Sequence, residues 1–63
     1  MPSDVRFAEL QRLLEAHGYR LKRISGSHHI FDKPGEPPIS IPVHHGKVKY
    51  VYYKQAKKLF GEA

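Results

Sequence analysis

Two stretches of alternating side chains, Tyr19 to Ser25 and His28 to Lys33, are separated only by Gly26-Ser27. This junction constrains the fold more than any other part of the chain. Glycine reaches positive φ without a Cβ clash, so a Gly-Ser pair between two such stretches predicts a tight β-hairpin. In the first arm Tyr19, Leu21 and Arg23 fall on one side and Arg20, Lys22 and Ile24 on the other. The second arm must stop at Pro34-Gly35-Glu36-Pro37-Pro38, where three of five residues lack an N–H and no ladder can continue. Ile39 to Val43 has the β-branched character of a third strand, and its Pro42 places it at an edge or a bulge.

Helical periodicity flanks this sheet. Ser3 can cap a helix whose first turn carries Asp4, with Phe7, Leu10, Leu14 and His17 on one stripe and Leu13 widening it. Gly18 ends that helix, and His17 beside it can interact with the terminal carbonyls. Beyond a His44-His45-Gly46 loop, Tyr52, Ala56 and Leu59 recur at helical spacing, and Val48 and Phe60 extend the same face up to Gly61. Val48 to Tyr53 also has strand propensity, but the lysines lie off the apolar stripe, which favours a helix. The expected fold is α+β, ordered α-β-β-β-α, with a three-stranded antiparallel sheet covered by two helices on one face and partly open on the other. With 63 residues this is one domain, 1–63. A chain of this size buries only about 60% of its unfolded surface, too little to enclose a large cofactor.

The open face matters because the chain is basic. Eleven Lys and Arg stand against six Asp and Glu, for a formal charge of +5. Lys47, Lys49, Lys54, Lys57 and Lys58 lie in a stretch from Pro37 to Gly61 without a carboxylate, and Arg20, Lys22 and Arg23 form a second cluster. Such a distribution favours a polyanionic partner, with a solvated face kept for solubility as the plainer alternative. There is no cysteine, which excludes disulfides and thiolate zinc sites and fits a cytoplasmic protein. No apolar run has the length of a membrane span or a signal-peptide core, so a soluble, unexported chain without membrane contact is expected.

His28 and His29 carry the chemistry. Imidazole exchanges protons near neutrality, and adjacent strand residues face opposite sides. Phe31 most needs burial and His29 shares its parity, which sends His29 toward the helices and leaves His28 on the open face with Ile30 and Asp32. There a neutral imidazole can accept the proton of a ribose 2′-hydroxyl, or in its charged form protonate a leaving 5′-oxygen. Neighbouring Lys or Arg would stabilise charge at phosphorus. In a small basic chain this points toward RNA cleavage, against the plainer reading that His28 fills a half-buried hairpin position. His44 and His45 suit structural or solvent-exposed loop roles at least as well as lining an RNA path or moving a second proton. The two histidine pairs diverge too much to chelate, and no cysteine or placed carboxylate completes a shell, so neither a metal nor any other cofactor is expected. Tyr52 belongs to the apolar stripe; for Tyr50 and Tyr53, base stacking and surface packing are both open.

Taken together, the helix ending at His17-Gly18-Tyr19, the Arg20-Leu21-Lys22-Arg23 run, the Gly26-Ser27-His28-His29 turn, Phe31, Pro34 and Ile39-Ser40-Ile41-Pro42-Val43-His44 resemble the HicA family. The likeness runs to the basic stretch around Lys54-Gln55-Ala56 and covers essentially the whole chain. HicA proteins are the small toxin halves of bacterial and archaeal type II toxin-antitoxin pairs. The resemblance implies a fold like the double-stranded-RNA-binding domain, ribonuclease activity against mRNA, and neutralisation by a HicB-type antitoxin. It also implies that the histidine after Gly-Ser, here His28, carries activity, with His29 as second candidate. Lys49-Tyr50-Val51-Tyr52-Tyr53 departs from the family's usual Pro-Gly-Thr-like start of the second helix. Two other readings remain: a non-catalytic RNA-binding module of the same fold, and an inactive remnant that binds its antitoxin.

Overall fold

The hairpin forms where Gly26-Ser27 requires it, and the rest of the chain is arranged around it. In the computed structural model, which describes residues 3–62, the order is β1 (Asp4–Arg6), α1 (Phe7–Ala16), β2 (Arg20–Ser25), β3 (His28–Asp32), β4 (Ile39–Pro42), β5 (Lys47–Lys49) and α2 (Tyr50–Leu59). Strands β2, β3 and β4 form an antiparallel sheet with β3 in the centre, and β1 pairs with β5 in a separate two-stranded ribbon. The α+β architecture with a three-stranded antiparallel sheet and two helices is the one expected. Pro42 lies on edge strand β4, where a missing N–H costs no ladder bond.

The ribbon differs from the expected pattern. Ser3 and Asp4 do not open the first helix: Asp4 pairs with Lys49, Val5 with Val48 and Arg6 with Lys47. Helix α1 therefore starts at Phe7, without a side-chain cap. Each helix instead has its first N–H satisfied across the ribbon, Phe7 donating to the Gly46 carbonyl at 2.9 Å and Tyr50 to the Ser3 carbonyl at 2.8 Å. Long-range pairing wins here over local capping because it uses several backbone groups at once and buries Val48, which is 1% exposed. Lys47 to Lys49 is for the same reason a strand and not the start of the second helix.

The core is built from Leu10 and Leu14 of α1, Tyr19, Phe31 of β3, Ile41 of β4, Val48 of β5 and Ala56 of α2. Leu10, Leu14 and Phe31 are fully buried, and burial of each such side chain is worth about 1.5–3 kcal/mol. Both helices end in the same hydrogen-bond pattern. Gly18 donates to Glu15 and Tyr19 to Leu14 after α1; Gly61 donates to Lys58 and Glu62 to Lys57 after α2. These are the paired bonds of a Schellman motif, which satisfy carbonyls left free by the last helical turn. His17 does not turn to the terminal carbonyls. Its ring stacks on Phe60 with centroids 3.9 Å apart, and its Nε2 lies 2.6 Å from the Glu62 carboxylate, joining the two helix ends.

One irregularity in β2 rearranges its side chains. Leu21 pairs with Phe31, but the next registered pair is Arg23 with Ile30, so the strand carries a bulge between them. Simple alternation would put Arg23 with Leu21 on the helix side. The bulge moves Arg23 to the side of Ile30 and His28, and moves Ile24 opposite His29, where it stays 56% exposed.

Candidate nucleic-acid-cleaving site

The site sits on the open face of the sheet, where β2 turns into β3. Ser25 pairs with His28, so Gly26 and Ser27 are the two loop residues. Gly26 has φ +60° and Ser27 does not share the positive sign, the pattern of a type II′ hairpin. A Cβ at Gly26 would meet nothing within 4 Å, so a larger residue there acts through backbone strain and not through a clash. Gly26→Val is therefore expected to distort the turn and to lower activity by more than its small loss of melting temperature explains. D-alanine placed at that position by chemical synthesis accepts positive φ and should restore activity; a fully active valine variant would show that the turn does not aim His28.

His28 is the first residue of β3 and is exposed, between Ser25 on one side and Pro42 on the other. Its neighbour faces the opposite way. The His29 ring lies 4.6 Å from the Phe7 ring, centroid to centroid, and its Nδ1 is buried without a hydrogen-bond partner. The two histidines thus have different chemistry available: His28 can meet a substrate from solvent, whereas His29 is packed under the start of α1.

Strand β2, which pairs with the strand of His28, carries three cations that are not equivalent. Lys22 pairs with Asp32 at 3.3 Å, both side chains about half exposed. The Arg20 guanidinium turns back to the end of α1, donating to the Tyr19 carbonyl at 3.0 Å and the Glu15 carbonyl at 3.5 Å. Arg23 has no ion pair among the described residues. Because it opposes Ile30, it is the diagonal cross-strand neighbour of His28, a separation that a long side chain spans. The bulge therefore brings to His28 the one cation of the three that is free to meet an anion.

The remaining basic residues lie elsewhere. Lys47 and Lys49 are exposed on either side of buried Val48 in β5. Lys54, Lys57 and Lys58 line a shallow depression on α2 together with Tyr50, and the Lys57 ammonium lies 5.6 Å over the Tyr53 ring. Tyr52 and Tyr53 both pack against the core, Tyr53 with Lys57 over its ring, while Tyr50 shares the depression with the lysines. His44 bridges to Lys47, and His45 between them has φ +54°. No cluster of three His, Asp or Glu side chains suited to a metal ion occurs among the described residues.

A small α+β fold that sets an exposed histidine at a sheet turn beside a basic surface defines a class of proteins equipped for proton transfer next to an anionic partner. Within that class the assignment is specific. A family model described as the HicA toxin of bacterial toxin-antitoxin systems matches residues 7–57, and the chain belongs to the HicA toxin family. No curated protein and no solved structure matches it. The match spans α1, the hairpin and most of α2, and leaves out β1, whose pairing with β5 has no local signal in the sequence. The free state of Arg23 has none either, since only the bulge reveals it.

Proposed function

We propose that this toxin is a metal-independent endoribonuclease that cleaves mRNA in the cytoplasm, using His28, and that a HicB-type antitoxin neutralises it. The observation that carries this reading is the exposed imidazole of His28 at the mouth of a glycine-dependent turn, with Arg23 as its diagonal neighbour. The neutral ring takes the proton of the ribose 2′-hydroxyl as its oxygen attacks phosphorus. The resulting imidazolium can then return a proton to the departing 5′-oxygen. Arg23 offsets the charge that builds on the phosphoryl oxygens, a preorganised cation of the kind that stabilises such transition states.

The direct test is incubation of the purified protein with labelled RNA in EDTA. Cleavage into fragments is expected, and intact RNA at high protein concentration would remove the nuclease reading. A non-catalytic RNA-binding module is the second reading, favoured by the position of Lys54, Lys57 and Lys58 on α2 and not on the strands that carry His28. The two readings share an electrostatic binding surface that salt dependence can map. Neutralising Lys54, Lys57 and Lys58 should flatten the slope of log affinity against log salt by roughly 0.7 for each single-strand phosphate that the protein no longer neutralises. An unchanged slope would place the RNA off α2, along Lys22 and Arg23 of β2 or Lys47 and Lys49 of β5.

A further inference from the structure

The turn that joins β4 to β5 borders a groove that the mechanism above does not use. His44 and Lys47 exchange backbone hydrogen bonds of 2.9 and 3.0 Å, and the two residues between them, His45 and Gly46, have φ +54° and +73°. Positive φ at both central positions is the pattern of a type I′ turn, which asparagine, aspartate and glycine fill at least cost. His45 is the only described residue other than glycine at positive φ. A strained side chain kept at a surface turn is a reason to ask what it contacts.

His45 lines a cavity of about 510 Å³ together with Pro42, His44, Lys47, Lys49 and Tyr52. The groove is open to solvent, and its lining includes two lysines, two histidines and a tyrosine. Its one carboxylate, Asp4, lies across the ribbon from Lys49, so the lining is cationic on balance. Pro42 joins this groove to the site, because it is the ladder partner of His28, and paired Cα atoms are only about 4.5–5.5 Å apart. A chain with a phosphate at His28 can therefore cross Pro42 and continue into the groove.

We propose that this groove binds the nucleotide that flanks the scissile phosphate, with Lys47 and Lys49 on its phosphate and the His45 imidazole against its base. The inference rests on the ribonuclease reading and adds the substrate class to it. Only an unpaired base can leave its stack to meet a side chain in such a groove, so His45 makes the site selective for single-stranded RNA. Stacking on a ring tolerates any base, which makes the selection one of strandedness and not of sequence.

The test separates binding from cleavage by using protein that carries His28→Ala throughout. Its affinity for a fluorescein-labelled single-stranded RNA octamer is compared with that for the same octamer in a blunt duplex, with and without His45→Gly. Glycine suits the turn better than histidine, so the melting temperature should stay level or rise, and any weaker binding then reports the imidazole. Affinity for the single strand is expected to fall about five-fold or more, the effect typical of removing one stacked base, while duplex binding changes little. In amide spectra the octamer should shift Gly46, Lys47 and Tyr52. Equal affinity of the two proteins for the single strand, or no shift at these amides, would overturn the proposal. His45-dependent binding by a protein that leaves RNA intact with His28 present would support the groove and remove the nuclease reading, so the two failures are distinguishable.

Discussion

Replacing His28 with alanine is expected to lower RNA cleavage by about 10²–10⁴-fold, the range that a single proton-transfer group supplies. Growth inhibition on expression should disappear with it. The fold should survive, because the side chain is exposed and bears on no part of the core. The matched control is His29→Phe. The His29 ring already lies against Phe7 and leaves a buried nitrogen without a partner, an arrangement that costs about 1–3 kcal/mol wherever the polar atom stays dry. An apolar ring of similar shape should therefore hold or raise the melting temperature and keep cleavage near the parent rate. The rates and melting temperatures of the two variants together decide the assignment. Cleavage abolished in His29→Phe but kept in His28→Ala would move the chemistry one residue along and would require α1 to lift away from His29. Cleavage that survived both changes would end the histidine mechanism.

The different surroundings of these two residues could be read in the sequence, since strand parity and the burial demand of Phe31 together decide which histidine faces out. The hairpin was legible for the same kind of local reason: Gly26-Ser27 is a turn signal that acts over two residues. What stayed hidden depends on contacts distant in the chain. Strands β1 and β5 are only three residues each, and neither has a reason to be extended until the other is beside it. Val48 fits a helical stripe equally, because its spacing from Tyr52 suits a helix as well as its alternation with Lys47 and Lys49 suits a strand. The bulge in β2 has no glycine to mark it. It shows only in the register, where Arg23 meets Ile30, and with it goes the one cation whose position bears most on His28. The type I′ turn at His45-Gly46 carries a weaker local signal than the Asn-Gly pair typical of such turns, with a histidine in the asparagine position.

An antitoxin of the HicB type is expected to stop cleavage at one equivalent by covering His28. The protein carries +5 at neutral pH, so an acidic partner is drawn to it over distance and competes with RNA phosphate for the same cations. The face around His28 offers such a partner more than charge. Ile30 lies beside His28 and Arg23 on the open side of the sheet and is only half-buried, and closing over it adds apolar contact that RNA cannot match. Association should consequently slow as salt rises, since steering is screened beyond a Debye length of about 8 Å at 0.15 M, while the dissociation rate, set by contact, should change less. Carbethoxylation of the imidazoles gives the direct reading. His28 should react readily in the free toxin and be protected in the complex, and exchange of the Gly26 and Ser27 amides should slow in parallel. A complex that forms tightly, leaves His28 reactive and still cleaves RNA would rule out occlusion and would assign the partner to regulation or targeting instead.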